Sequence, residues 1–553
     1  MAKSWKRDIR IFILLLPGVL FLLVCPTMTF SVTIVVDPSE TFQTIEGFGG
    51  GLVFGEWPYG RACKDELYDS LFTTAGFSVI RINNTFDPEC TDTGEVPEIP
   101  MVKEIRSRYP HVKMMLTSWS PPRYLKERDT TAGKFEGKPL SLKKENGEFV
   151  YDQYAEYWCR SIDHFQRQGS NPDWVSIQNE PDWPASWNGC YMIPYESEQY
   201  ASYGKALDAV YNKVKENGVR LVGPDMTGVE GIGGATLDRY MENLDVTQLS
   251  GICHHLYNGN DLDLLNSVRK KYPDLPRYQT EKLINEEQEE QGKILTWFDQ
   301  MKMIHNTLVE EDVSMYLLFA LTYKAASTHC CFSIDSTGES FTPRPIYHAF
   351  KHYSKSVHRG WKRIKVTGDA DPNLKVSAFS GPKGDSCAIV VVNCGDEQIA
   401  DVSLSGVRVQ SGMVHQTVQD SGTSRQLKVY EKIDDFTGEI PAVILEKRSV
   451  TTIDFCLKGA GTEKPVKKAH FTGPVVSSMV THNGMVMVRI DNRITFDCAL
   501  TLQTVRGEIC SRSRAIRPGN GVFYTFGGPF APGVYFLKAQ TAAGSTMSKL
   551  IVP

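Results

Sequence analysis

The chain has 553 residues, of which 41% are hydrophobic and 23% charged, with a formal net charge of -5. That length exceeds what one hydrophobic core supports and predicts two to four domains. The ordinary globular balance excludes a chain disordered throughout, and the slightly acidic charge gives no reason to expect nucleic acid as a partner.

Residues 1–31 read as a signal peptide. Lys3, Lys6, Arg7 and Arg10 form a positive start, residues 11–24 are an apolar run, and Thr27, Thr29 and Ser31 supply small residues near a cleavage point. The run is shorter than the ~20 residues of a spanning helix. A secreted or cell-surface location is therefore expected, with no stable membrane span after signal removal. A strand at 32–45 is expected to join a β domain that comes later in the chain. From 46 to 356, short apolar strands alternate with helical patterns. Strands are expected near 46–50 and at 78–83, 113–117, 174–178, 221–223, 251–255, 277–280 and 315–318, with helices such as 154–167, 196–216 and 297–309 between them. Eight such units predict an α/β fold, a (β/α)8 TIM barrel. The run 47–51 is glycine-rich, but no GxGxxG leads into a helix, so a nucleotide-binding open sheet is disfavoured. Residues 357–456 carry period-two strands and predict a β-sandwich side domain. A linker rich in Gly, Lys and Pro covers 457–469, and 470–553 reads as a second, C-terminal β-sandwich-like module. The cysteine spacings show no zinc or redox pattern. Cys253, Cys387 and Cys394 read as small buried hydrophobes, and Cys330-Cys331 as an adjacent pair in a loop.

A barrel places its chemistry at the C-terminal ends of its strands. The fourth strand runs into Asn179-Glu180-Pro181-Asp182, and the seventh ends at Glu281. These two carboxylates are expected to face one another across the barrel mouth. Glycosidic cleavage requires such a pair: one protonated carboxyl for the leaving oxygen, one ionised to attack the anomeric carbon. Glu180 is assigned as acid/base and Glu281 as nucleophile, with Asn179 placed to bind the sugar 2-hydroxyl. Arg81, a charge inside an apolar strand, is expected to hold Glu281 ionised. His255 and Tyr257 follow the sixth strand and are placed for substrate and nucleophile. Trp119, before two prolines, is an expected sugar platform; Trp183 and Tyr323 are further substrate-binding candidates, and Trp187 and Tyr191 extend the run after the acid/base. The acidic run Glu286, Glu287, Glu289 and Glu290 reads as a solvated helix face. This chemistry needs carboxylates only, so neither cofactor nor metal is expected; His254 and His255 lack a third metal ligand at useful spacing.

The run Gln43-Thr44-Ile45-Glu46-Gly47-Phe48-Gly49-Gly50, with TSWSPP at 117–122, SIQNEPDW at 176–183, HLYNG at 255–259 and Gln279-Thr280-Glu281, resembles glycoside hydrolase family 30. The likeness continues through Pro345-Ile346-Tyr347-His348-Ala349-Phe350 to Ser449-Val450-Thr451-Thr452. It implies a retaining barrel fused to a β-sandwich whose first strand is N-terminal, with Glu180 as acid/base and Glu281 as nucleophile. HLYNG and Ser186-Trp187-Asn188-Gly189-Cys190 look most like the bacterial xylanase branch, which implies a xylan-class polysaccharide substrate. Members that grip a glucuronic acid branch do so with Arg after the eighth strand; Thr322-Tyr323-Lys324-Ala325-Ala326 stands there instead. Lys lacks the planar fork of Arg, so plain xylan or arabinoxylan becomes credible. The alternatives are a β-1,6-glucanase, an exo-acting β-xylosidase, or a non-catalytic polysaccharide-binding surface protein. Gly533-Val534-Tyr535-Phe536-Leu537-Lys538 and Lys549-Leu550-Ile551-Val552 resemble the sorting domains of type IX secretion. That resemblance implies secretion machinery as a partner; a carbohydrate-binding module is the competing reading.

Overall fold

The computed structural model describes most residues between 31 and 552. Residues 1–30 and 459–475 lie outside the described set, as do shorter runs that include 53–61, 90–95, 283–288, 325–328 and 420–426. The expected signal peptide, apart from Ser31, and most of the expected linker fall there.

Eight parallel strands close a barrel: β1 (Gly47–Gly51), β2 (Val79–Asn83), β3 (Lys113–Thr117), β4 (Trp174–Ser176), β5 (Arg220–Gly228), β6 (Ile252–Asn258), β7 (Arg277–Glu281) and β8 (Val313–Leu318). Closure sets Met315 opposite Gly47 and Leu318 opposite Gly50. The glycines of β1 have a steric cause: a Cβ on Gly49 would lie 1.8 Å from the Val79 carbonyl oxygen. All eight expected strands are present. β5 is longer than expected, because its polar end, Asp225 to Gly228, continues in the sheet.

Strand side chains alternate faces with period two, and that alternation builds the barrel interior in layers. The floor is apolar: Val79, Met115, Trp174, Val222, Cys253, Tyr278, Met315 and Leu317 pack together. Two residues further along the same strands stand Arg81, Ser176, His255 and Thr280, all buried and polar. Asp225 joins them against the parity of Val222. The β5–β6 register shifts between Pro224 and Met226, and Asp225 takes a left-handed φ of 64°; such a bulge re-aims a side chain. A larger apolar layer lies between the barrel strands and the helices around it.

The helices Tyr151–Arg167 and Trp297–Val309 match expectation, the latter started by a capping box of Thr296 and Asp299. The helix expected over 196–216 spans only Tyr203–Val214. Ser202 caps it by accepting from the Lys205 N–H, and the preceding residues form a turn on the Ser197 hydroxyl. Cys330 and Cys331 lie in a buried strand, Cys330–Ile334, not in a loop.

The β-rich side domain is built on a nine-stranded sheet. Its N-terminal strand, Ser31–Thr44, runs parallel to Gln398–Leu404 and antiparallel to Lys362–Gly368. The strand Ser386–Asn393 is buried on both faces: Ile389 and Val391 enter the domain's own core, while Ala388, Val390 and Val392 join the layer around the barrel. Arg408–Gln419 was not anticipated, since its polar composition hides a strand flanked by Leu427–Thr437 and Ser449–Lys458. Further along, Val476–His482, Met485–Ile490 and Phe523–Phe526 form one sheet, and Cys498–Thr504, Ile509–Ala515, Gly533–Thr541 and Gly544–Val552 another.

Candidate active site

Glu180 and Glu281 converge at the barrel mouth. One carboxylate oxygen of each, with a ring nitrogen of His255, all lie within 4.8 Å of one another. Glu180 follows β4 in a left-handed conformation, φ 46°, with its N–H donating to the Asp225 carbonyl at 2.9 Å. A non-glycine residue held at positive φ is strained, and such strain collects where a side chain must be aimed.

Glu281, at the end of β7, is buried and accepts on both oxygens. Arg81 Nη1 donates to Oε2 at 2.5 Å, and the Tyr257 hydroxyl donates to Oε1 at 3.1 Å. Arg81 Nη2 is shared between Asn179 Oδ1 at 2.5 Å and Asp225 Oδ2 at 3.0 Å. Asp225 is the hub beneath the pair. It also accepts from Ser176 Oγ at 2.7 Å and Thr280 Oγ1 at 2.5 Å, and faces His255 Nε2 at 3.4 Å. His255 turns its other nitrogen, Nδ1, to Glu180 Oε1 at 3.0 Å.

Burial acts to lower the His255 pKa, but the charge of Glu281 and the bonds to Asp225 and Glu180 outweigh it and push it up to about 10. Burial likewise opposes ionisation of Asp225, yet the Arg81 charge and the His255 and Thr280 contacts hold its carboxyl far below the usual range. Burial raises the Glu281 pKa above its ordinary value and Glu180 adds to that, although the His255 and Arg81 charges pull the other way. Asp182, directly after Glu180-Pro181, is buried with a pKa raised to about 6, mainly by burial, although Thr227 donates to both its oxygens at 2.9 and 2.7 Å. Around the mouth, then, three carboxyl groups (Glu180, Asp225 and Glu281) face two cations, Arg81 and the His255 imidazolium. Glu180, with His255 as its donor, has fewer donors aimed at it than either other acid.

Glu180, His255 and Glu281 are also the one group among the described residues whose donor atoms could surround a metal ion.

Of the residues expected from sequence, Glu180, Glu281, Asn179, Arg81, His255 and Tyr257 form one bonded network. Trp119 joins it through Arg81, whose guanidinium lies over the indole at 4.6 Å, so one ring face is taken by a cation. Trp183 begins the next loop, its N–H on the Glu180 carbonyl at 3.0 Å, and is partly exposed. Tyr323 stands on Ala320–Lys324, edge-on to His329 with 4.5 Å between ring centroids. Residues 325–328 lie outside the described residues, as do Glu286 and Glu287 of the acidic run after Glu281; Glu289 and Glu290 stand in a short strand paired antiparallel with Lys293–Ile294, not on the expected helix. Asp225, Ser176 and Thr280 were missed. Ser176 and Thr280 share the inward parity of Trp174 and Tyr278 and were legible; Asp225 needed the bulge.

No family model matches the chain. It is 22% identical over 413 residues to glucuronoxylanase XynC from Bacillus subtilis (strain 168), an alignment covering 71% of this chain and 83% of that protein. It is also 22% identical over 437 residues to an endo-1,6-beta-D-glucanase from Neurospora crassa, covering 70% and 86%. Among solved structures, the catalytic domain of GH30 xylanase C from Talaromyces cellulolyticus is similar with a TM-score of 0.59 and 19% identity, covering 76% of this chain and 99% of that one. The chain has the fold of glycoside hydrolase family 30, a TIM barrel with a β-rich side domain.

Proposed function

We propose that the protein is a retaining β-glycosidase acting on a plant polysaccharide, with Glu281 as nucleophile and Glu180 as acid/base. The observation that carries this is the Glu180–Glu281 spacing within 4.8 Å. It suits the ~5–5.5 Å of retaining enzymes and leaves no room for the water that inverting enzymes hold across ~6.5–9.5 Å. Glu281 attacks the anomeric carbon as the Glu180 proton passes to the departing oxygen, giving a glycosyl ester and a free sugar hydroxyl. Glu180, now a carboxylate, takes a proton from water; the water oxygen bonds to the anomeric carbon and Glu281 is released. Arg81 and the Tyr257 hydroxyl, donating to the two oxygens of Glu281, favour its anion before attack and after release.

The substrate reading is an endo-β-1,4-xylanase. It rests on the HLYNG run, on Ser186-Trp187-Asn188-Gly189-Cys190 and on the likeness to a glucuronoxylanase. The endo-1,6-beta-D-glucanase likeness keeps a β-1,6-glucan as the second reading. Export by the N-terminal signal, with the C-terminal module as sorting element, belongs to the same proposal. The test is a product profile on glucuronoxylan, arabinoxylan, unbranched xylan and β-1,6-glucan. Neutral xylooligosaccharides from all three xylans support the xylanase; glucan products alone move the substrate to the second reading. Glu281→Gln should abolish turnover while leaving polysaccharide binding; turnover unaffected by that change overturns the nucleophile.

A further inference from the structure

The segment after the acid/base presents unusual surface chemistry. Trp187 is 64% exposed and Trp183 38%. Single exposed aromatics need no explanation on a protein surface. Here, however, the backbone beneath them is fixed with uncommon thoroughness.

The segment is bound along its length to the arm formed by residues 126–142. The Gly133 N–H donates to the Trp187 carbonyl, and the Gly189 N–H to the Thr131 carbonyl, both at 3.0 Å. Thr131 Oγ1 meets Asn188 Oδ1 at 2.8 Å, and the Tyr191 N–H donates to the Leu140 carbonyl at 2.9 Å. Two glycines face each other at the seam. A Cβ on Gly133 would lie 2.8 Å from the Ala185 carbonyl oxygen, and one on Gly189 would lie 3.2 Å from Gly133 Cα. The Lys126 ammonium, 3% exposed, donates to the Gly189 carbonyl and reaches the Leu140 carbonyl at 3.5 Å. Burying an ammonium is costly. Spending one to hold a surface loop makes sense when the loop's position matters.

We infer that Trp187, with Trp183, forms a rigid stacking platform for the sugars on the leaving-group side of the cleaved bond. This rests on the glycosidase reading above. Glu180 gives its proton to the departing oxygen; Trp183, three residues on, is hydrogen-bonded through its N–H to the Glu180 carbonyl, and Trp187 follows four residues later. On this reading the aromatics stand on the acid's side, where the departing chain lies. A pyranose ring offers an apolar face of C–H groups, and an indole covers such a face with large area and little rotamer entropy to lose. Clamping the backbone through Lys126, Gly133 and Gly189 removes the remaining ordering cost, which is how preorganisation raises affinity. The ligand class is a β-linked oligosaccharide extending past the cleaved bond. Lys126 is a positioning residue and touches no substrate.

The test compares Trp187→Ala and Trp187→Phe with wild type on two substrates. One is a glycosyl fluoride, whose leaving group is too small to reach the platform; the other is an unsubstituted xylohexaose or a β-1,6-linked glucohexaose. Trp187→Ala should lower kcat/KM on the hexaose about tenfold through KM, leave the glycosyl fluoride unchanged, and shift products toward cleavage nearer the other chain end. Trp187→Phe should recover most of the loss. An equal fall on both substrates, or no change on either, overturns the platform. If wild type cleaves none of these substrates, the glycosidase reading fails by itself. Calorimetric binding of the two hexaoses then decides the platform: an affinity lowered about tenfold in Trp187→Ala supports it, and equal affinity or no binding by either protein overturns it.

Discussion

Replacing Asp225 by Asn removes one negative charge from the hub while keeping its shape. Asp225 lies 3.0 Å from Arg81 Nη2 and 3.4 Å from His255 Nε2. His255 is protonated in the folded protein because its pKa is pushed up to about 10, against an ordinary value of about 6.5. A shift of that size corresponds to roughly 5 kcal/mol favouring the folded state. Because the folded pKa lies above the unfolded one, this contribution is complete below about pH 6.5 and is lost as pH rises through about 10. Asp225 is one of three carboxylates responsible, so its neutralisation should lower the His255 pKa by roughly one to two units and stability by roughly 2 kcal/mol at pH 6. The deficit should narrow as pH rises toward and past 10, as His255 loses its proton in both proteins. Activity should fall about tenfold or more, with the alkaline limb of the pH–rate profile moved to lower pH, because His255 then releases its proton earlier. Denaturant unfolding at pH 6 and pH 10, with kcat/KM across pH, checks both. Unchanged stability at pH 6 together with an unmoved alkaline limb would refute the role given to Asp225.

Asp182→Asn carries the opposite sign. The raised pKa of about 6 means that ionising Asp182 costs stability as pH climbs from about 4 to above 6. The Asn variant should match wild type at pH 4 and exceed it by roughly 1–3 kcal/mol at pH 8 in urea unfolding; a gain equal at both pH values would contradict the assignment. Glu180→Ala should lose turnover on substrates with poor leaving groups far more than on activated aryl glycosides. Added azide should restore turnover with product of retained anomeric configuration; an inverted product would mean the spacing had been misread. Gly49→Ala should cost more than about 3 kcal/mol or prevent folding, since its methyl would overlap the Val79 carbonyl; thermal denaturation near that of wild type would show that β1 has slack.

Much of this molecule is written locally. Hydrophobic strands separated by helical periodicity announce eight βα units, because each unit's pattern lies within a few tens of residues. The rule that barrel chemistry sits at strand ends then isolates Glu180 and Glu281 without any knowledge of their separation. Arg81 stood out as a charge on an apolar strand. His255 and Tyr257 could be placed at a strand end, but not with their partners, since sequence cannot say which strands face each other at what height. Asp225 was invisible because a bulge on β5 reverses the parity that periodicity supplies, and its value depends on meeting Arg81, 144 positions away. The strand Arg408–Gln419 was hidden for a related reason: it is held by pairing on both edges, so its own composition carries little signal. Chain chemistry thus decided the repeat, the barrel and the two carboxylates. Tertiary structure decided which donor serves which acid, because hydrogen bonding and charge act over a few ångströms, a distance that only closure of the barrel establishes.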